Sequence, residues 1–216
     1  MVVRSFHFQL ENVKQELLEM GGQVEAVLNE MMSGFTSSNT ALMENIIKND
    51  YKINQAELTL HDKVTLLISK QQPVATDLRK LIVVLKISSD LERVADLAVD
   101  MAKQSSRLKN HSLIPFKDRL VTMFTLAQEM IRKSLESFEQ SDIMLAQKIA
   151  SMDDKVDTMY GDLIRDLFKS NPDQIEVDQV TQLAFIGRYI ERIADYATNI
   201  AEWVVYEVNG KHFDLN

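Results

Sequence analysis

The chain states one pattern twice. Asp90 to Ala102 reads DLERVADLAVDMA, and Tyr189 to Ala201 reads YIERIADYATNIA. The shared core is Glu92-Arg93-Val94-Ala95-Asp96 in the first copy and Glu191-Arg192-Ile193-Ala194-Asp195 in the second. A repeat of this kind constrains the fold more than any composition, because each copy must form the same supersecondary unit. The duplication extends beyond the core. An offset of 103 aligns Leu17 with Leu120, Phe35 with Phe138, Ile46 with Ile149 and Asp50 with Asp153. An offset of 99 aligns Val84, Ile87, Leu91, Val94, Ala98 and Met101 with Leu183, Ile186, Ile190, Ile193, Ala197 and Ile200. The change of four is about one helical turn, lost near the second hairpin.

The repeated segments carry apolar residues at steps of three and four, the period of an amphipathic helix. With only six Gly and three Pro in 216 residues, little of the chain is free to be anything else. The expected fold is all-α: two pseudo-symmetric three-helix bundles, over residues 1–110 and 111–216. Six helices are read, from Phe6 to Phe35, Ala41 to Lys70, Val74 to Leu108, Phe116 to Phe138, Ile143 to Lys169, and Gln174 to Val208. The breaks are Thr36 to Thr40, Gln71-Gln72-Pro73, a linker from Lys109 to Pro115, Gln140 to Asp142, and Ser170 to Asp173. Asn209-Gly210 is a helix stop. All three prolines are placed between helices, with Pro73 leading into a first turn. The seam of the first helix is Phe6, Leu10, Val13, Leu17, Met20, Val24, Val27 and Met31. Gly21, Gly22 and Gly187 interrupt helical patterns, and close helix approach is the expected reason. Trp203 and Tyr206 are expected between the units.

Several classes are excluded. The chain has no cysteine, so disulfide, thiolate and Cys-ligated metal chemistry is absent. A net charge of −8 disfavours nucleic-acid binding, which needs a basic face. No apolar run has the length of a membrane span and the N-terminus lacks a signal-peptide pattern. A cytoplasmic protein is expected, reaching a membrane only through partners. There is no phosphate-cradling Gly-rich loop with Lys, no Gly-x-Ser-x-Gly and no His-Glu-x-x-His. The Glu-x-x-His pairs of ferritin-like di-iron enzymes are also missing, which counts against the alternative of a carboxylate-bridged metalloenzyme.

The acids have a systematic position. Glu92, Asp96 and Asp100 are spaced by four, so they share one face of their helix, one residue past the seam of Leu91, Val94 and Ala98. Glu191, Asp195, Asn199 and Glu202 stand in the same relation to the last helix. On the middle helices, Asp50, Asn54, Glu57 and His61, and Asp153, Asp157 and Tyr160, also lie one residue past a seam. An antiparallel hairpin turning near Gln71-Gln72 puts Asp50 level with about residue 93. One turning near Asn171 puts Asp153 level with about residue 189, at the rise of an α-helix. In each unit an acid of the middle helix therefore meets the Glu-x-x-x-Asp of the third. Like charges at this spacing destabilise a helix, and a divalent cation reverses the sign. Oxygen ligands alone suit Mg²⁺, Mn²⁺, Ca²⁺ or iron. The competing reading is a solvated acidic face neutralised by Arg93, Lys103 and Arg192.

Gln71 to Arg79 (QQPVATDLR), Asp90 to Asp96 (DLERVAD), Tyr189 to Glu202 (YIERIADYATNIAE) and the following Val204-Val205-Tyr206 and Asn209-Gly210-Lys211 resemble the PhoU family of bacterial phosphate-signalling proteins. The resemblance covers essentially the whole chain. It implies a non-enzymatic negative regulator of phosphate uptake. In such a role the protein restrains the Pst transporter through its ATPase. It also holds a PhoR-type sensor histidine kinase in its phosphatase state when phosphate is ample. A homodimer is expected. The family's acidic motifs bind multinuclear metal clusters, with iron, zinc, manganese or magnesium as candidates. Carried over, the ligands are Asp50, Glu92, Asp96 and Asp100 in the first unit, and Asp153, Asp157, Glu191 and Asp195 in the second. Asn54 and Asn199 depart from the acidic pattern. Since each unit keeps an acid where the other has an amide, the two sites are expected to be nearly equal.

Overall fold

The computed structural model of the chain describes residues 2–109, 114–169, 175–213 and 215. Among the described residues 90% are helical, against about one third in ordinary globular proteins, and no strand occurs. Seven helical segments follow in order: α1 (Val2–Ser37), α2 (Thr40–Asn49), α3 (Tyr51–Gln71), α4 (Ala75–Ser105), α5 (Ile114–Gln140), α6 (Ile143–Lys169) and α7 (Val177–Asn209).

The helix expected from Ala41 to Lys70 is divided at Asp50. Asp50 itself keeps helical dihedrals, φ −50° and ψ −42°, so α2 and α3 remain one rod and the described residues form six. The division is a tightened turn: the Asp50 carbonyl accepts from Ile53 N at 3.0 Å and from Asn54 N at 3.5 Å. Such a three-residue bond marks a local 3₁₀ step. It falls on a residue expected to bind metal.

The caps follow from residue chemistry. Asn39 Oδ1 accepts from Ala41 N at 3.0 Å and opens α2, satisfying an otherwise orphaned donor. Gly210 closes α7 at φ +71°, a left-handed position that favours glycine. Pro115 departs from expectation by lying in the first turn of α5, where its missing N–H costs nothing. Pro73 precedes α4, which starts at Ala75. The last helix begins at Val177, not Gln174; the turn at 170–174 and the linker at 110–113 lie outside the described residues.

The α2–α3 rod packs with α1 and α4, and α5, α6 and α7 pack with one another; α1 against α5 and α4 against α7 join the two bundles. All twelve aligned seam residues of the third helices, from Val84 to Met101 and from Leu183 to Ile200, are buried. In α1 the seam shifts by one residue near its end: Leu28 is buried and Val27 only partly so. The cause is geometric, since an α-helix has 3.6 residues per turn and a strict 3.5-residue stripe drifts around it.

α4 and α7 cross antiparallel. Trp203 Nε1 donates to Asp90 Oδ2 at 3.1 Å, and Lys86 Nζ lies 5.6 Å from the Trp203 ring centre. Further along, Arg79 donates to the Glu207 carbonyl at 3.3 Å and lies 5.8 Å from the Tyr206 ring centre. Trp203 and Tyr206 thus sit between the units as expected.

Two of the three glycines mark close helix approach. A Cβ at Gly21 would lie 2.7 Å from Leu135 Cδ1, and one at Gly187 would lie 2.8 Å from Leu163 Cδ2, whereas one at Gly22 would meet nothing within 4 Å. The neighbours therefore separate in outcome. Gly22→Ala is expected to stabilise the protein by up to about 1 kcal/mol, the helix-propensity difference. Gly187→Ala is expected to destabilise it by about 1–3 kcal/mol through overpacking, with Leu163→Val recovering part of the loss. Denaturant midpoints at constant m-value measure both.

Candidate metal centre

The hairpins set the register of the acids. α3 ends at Gln71 and α4 begins at Ala75, so three residues are spent outside helix and the pairing moves by about one turn from the expected level. Ser89 Oγ, on α4, donates to Glu57 Oε1, on α3, at 2.8 Å. That pairing places Asp50 level with Asp96. The electrostatics agree: after burial itself, Asp96 is the neighbour that most raises the Asp50 carboxyl, with Asp100 acting in the same sense. α6 ends at Lys169 and α7 begins at Val177, which puts Asp153 between Glu191 and Asp195 rather than before them.

On the first face Asp50, Glu92, Asp96 and Asp100 are all half-buried. Arg93 pairs with Asp96 at 2.9 Å and with Glu92 at 3.5 Å. Lys103 pairs with Asp100 at 2.9 Å. Burial raises the carboxyls of Asp50 and Glu92, and Asp96 raises each further. One Asp50 oxygen, Oδ1, is buried with no hydrogen-bond partner.

The second face is deeper and tighter. Asp157, Glu191 and Asp195 bring one carboxylate oxygen each within 4.8 Å of one another. Oxygens that share a cation at about 2.0–2.6 Å take such spacings. Asp153 is only 5% exposed and Glu191 only 8%, deeper than the position at or near the surface that their place beside the seam suggested. Asp153 Oδ1 and Glu191 Oε2 are buried and unpartnered. Burial pushes Asp153 up to about 6 and Glu191 up to about 7, with Asp195 the next contributor to each. Asp195 is raised by burial and then by Asp157. Leaving a buried carboxylate oxygen without a partner is costly, and a cation set among these oxygens would supply one. The donor set therefore fits a hard divalent cation with oxygen ligands.

The structure brings Asp157, Glu191 and Asp195 together in the second unit, whereas among the described residues no three acids of the first unit converge in the same way, and it adds residues that sequence reasoning did not select. Arg188 ion-pairs with Glu191; the signal was its i,i+3 spacing from that glutamate. Arg192, expected to neutralise this face, lies with its guanidinium 6.0 Å from the Tyr196 ring centre and favours the charged form of Asp195. Glu57 acts on Glu92, and His61 Nε2 lies 3.4 Å from Ser89 Oγ. Glu57 and His61 are visible in the sequence as members of the stripe beside the seam. Asp90, at the bundle junction, is pushed up to about 6 by burial, partly offset by the Trp203 N–H and Lys86.

Residues 17–105 and 120–204 each match the PhoU domain model, and each match contains one copy of the Glu-Arg-x-Ala-Asp core and the acidic face built on it. The chain belongs to the PhoU family. It is 35% identical over 221 residues to the phosphate-specific transport system accessory protein PhoU homolog of Clostridium acetobutylicum, covering 100% of both chains. To the Escherichia coli accessory protein PhoU it is 29% identical over 209 residues, 96% of this chain and 87% of that protein. The crystal structure of the phosphate transport system regulatory protein PhoU from Streptococcus pneumoniae superposes with a TM-score of 0.89 at 28% identity, covering 97% of this chain and 99% of that one. PhoU from Pseudomonas aeruginosa superposes with a TM-score of 0.87 at 30% identity, covering 95% and 100%. The six-rod, double-bundle fold is thus the fold of PhoU.

The raised carboxyls predict how stability depends on pH. Asp90 has a folded value of about 6 against an ordinary 3.8. The folded protein therefore holds that proton more tightly than the unfolded chain. Asp90 costs nothing below pH 3.8, and stability is lost as pH rises through about 6. Asp90→Asn keeps an oxygen acceptor for Trp203 and removes the ionisation. It is expected to raise stability at pH 8 by about 3 kcal/mol, since a tenfold difference in proton affinity between folded and unfolded chain is worth about 1.4 kcal/mol. The gain fades towards pH 4. Thermal melts of metal-free protein across that range measure it.

Proposed function

We propose that this chain is a non-enzymatic regulator of phosphate transport that works as an adaptor. A part in phosphate transport regulation goes with membership of a family of accessory and regulatory proteins, which is not a family of enzymes. The observation that carries the reading is the match, along 100% of both chains, to an accessory protein of the phosphate-specific transport system. Within that reading the protein acts in the cytoplasm as a homodimer. It restrains the transporter through its ATPase subunit and holds a PhoR-type sensor kinase in its phosphatase state when phosphate is ample. No helix among the described residues is long and apolar enough to cross a membrane, and in this reading contact with the bilayer runs through these partners. Nucleic acid has no part in it.

The acidic faces add a metal to the proposal. Asp50, Glu92, Asp96 and Asp100 hold one site, and Asp153, Asp157, Glu191 and Asp195 the other. The bound cation is divalent, from among iron, zinc, manganese and magnesium. It neutralises carboxylates that the fold forces together and locks the α3–α4 and α6–α7 hairpins at their present register. The orphaned buried oxygens of Asp50, Asp153 and Glu191 support it.

Deleting the gene in its host is expected to raise a phosphate-starvation reporter in high phosphate, and affinity capture is expected to recover the transporter ATPase and the kinase. An unchanged reporter together with capture of neither protein refutes the adaptor reading. For the metal, addition of Mn²⁺, Fe²⁺, Zn²⁺ or Mg²⁺ to metal-free protein is expected to raise its melting temperature. A hundredfold excess over Kd is worth about 2.7 kcal/mol. Glu92→Gln with Glu191→Gln is expected to abolish that rise and leave the metal-free protein folded.

A further inference from the structure

Beyond α7 the chain reverses and runs back along that helix. Gly210 makes the reversal, with φ +71° and its N–H donating to the Tyr206 carbonyl at 2.8 Å. The turn also touches the first bundle, since a Cβ at Gly210 would collide with the Arg79 guanidinium of α4. The His212 ring then stacks on Tyr206, with centres 4.0 Å and planes 9° apart. It meets Trp203 nearly at a right angle, with centres 5.5 Å apart. Leu215 N donates to Glu202 Oε1 at 2.8 Å, and the Leu215 side chain packs against the core.

The two rings that this segment meets are those of the α4–α7 crossing. Trp203 donates to Asp90 and has Lys86 near its ring, and Tyr206 has Arg79 near its own. The first bundle and the segment after α7 thus grip the same two side chains. Trp203, Tyr206 and Asp90 are all half-buried, so the joint is not closed by the helices alone. A hydrogen bond to a carboxylate is stronger where water is kept out. His212 is itself exposed, so its own burial does not explain its place. Its stacked and perpendicular ring contacts do, since such pairs attract beyond the area they bury.

We propose that the segment after Gly210 is a strap that seals the joint between the two bundles. Closed over Trp203 and Tyr206, it keeps water from the Trp203–Asp90 hydrogen bond. Lifted, it opens that bond to solvent and loosens α4 against α7. The hold is light: a ring stack on Tyr206, a hydrogen bond on Glu202 and one leucine against the core. A segment held by so few contacts opens well below the cost of unfolding a helix. α4 carries Glu92, Asp96 and Asp100, and α7 carries Glu191 and Asp195. Play at this joint therefore moves one acidic face relative to the other.

The chain has a single tryptophan, so Trp203 reads the joint without interference. Two measurements on the full-length protein test the strap. Acrylamide quenching of Trp203 fluorescence, corrected for lifetime, reports how well the ring is covered. Exchange of the indole N–H with solvent, followed by proton NMR, reports how dry its bond to Asp90 is. His212→Ala removes the stack and is expected to raise the quenching constant and to speed indole exchange about tenfold. Glu202→Ala removes the acceptor for Leu215 N and is expected to act in the same direction. His212→Phe keeps a stacking ring, Glu202→Gln keeps the acceptor oxygen, and both are expected to stay near wild type in both measurements. If His212→Ala and Glu202→Ala quench as wild type does, the segment covers nothing and the inference is overturned. If quenching rises while indole exchange stays at its wild-type rate, the segment touches the ring without sealing the joint, and the inference falls as well.

Discussion

The antiparallel crossing of α4 and α7 is the contact on which the rest of this molecule depends. Each of these helices belongs to its own bundle and also packs against the other, so each must be apolar on more than one side. That is why both carry alanines beside their branched seams: Ala95, Ala98 and Ala102 in α4, and Ala194, Ala197 and Ala201 in α7, all buried. Small side chains bury surface while letting neighbours approach on several sides. The crossing is pinned where polar atoms would otherwise be stranded, by Trp203 on Asp90 and by Arg79 on the end of α7. Once α4 and α7 are fixed, the strip beside each seam is all that remains for polar residues, and the acids occupy it.

This placement has an energetic consequence. A carboxylate one residue past a seam is neither in water nor in the core. Its charge is partly desolvated, and its neighbours at i,i+4 and across the hairpin carry the same sign. Burial is the first cause of the raised carboxyls at Asp50, Glu92, Asp153, Glu191 and Asp195, and like charge is the second. A chain selected for stability alone would put amides or lysines there. Retaining acids at matched places in both halves makes sense when something positive answers them. In the first unit the structure supplies Arg93 and Lys103 from the solvent side. In the second it supplies Arg188, about half exposed, on Glu191.

The duplication accounts for both the likeness and the difference of the halves. Core positions are constrained by packing volume on every side, so the seams of α4 and α7 have kept their character through the repeat. Rim positions touch less and are freer to change charge. Ser89 and Arg188, Glu57 and Tyr160, Asp100 and Asn199 are all rim exchanges. The same backbone plan thereby carries two acidic faces with different charged neighbours, while the α4 and α7 seams that support them stay apolar.

The fold was legible in the sequence because its signal is periodic and repeated. Two copies of one apolar pattern, few glycines and turn residues between the patterns leave little but a pair of helical bundles. The acids were legible too, since one residue past a seam is a fixed direction on a helix. What the sequence could not place was anything that depends on where a turn begins. The register of α3 on α4 hangs on how many residues the turn after Gln71 consumes, which moved Asp50 from between Glu92 and Asp96 to beside Asp96. It could not tell that the rod breaks at Asp50, because a single tightened hydrogen bond leaves no periodic trace. Nor could it decide how deep each carboxylate lies. Asp50 and Asp153 are the same residue at matched positions, yet only Asp153 is buried below a tenth of its surface. Periodicity sets the direction of a side chain; its depth and its partners are set by the neighbouring helices, which only the packed structure brings into place.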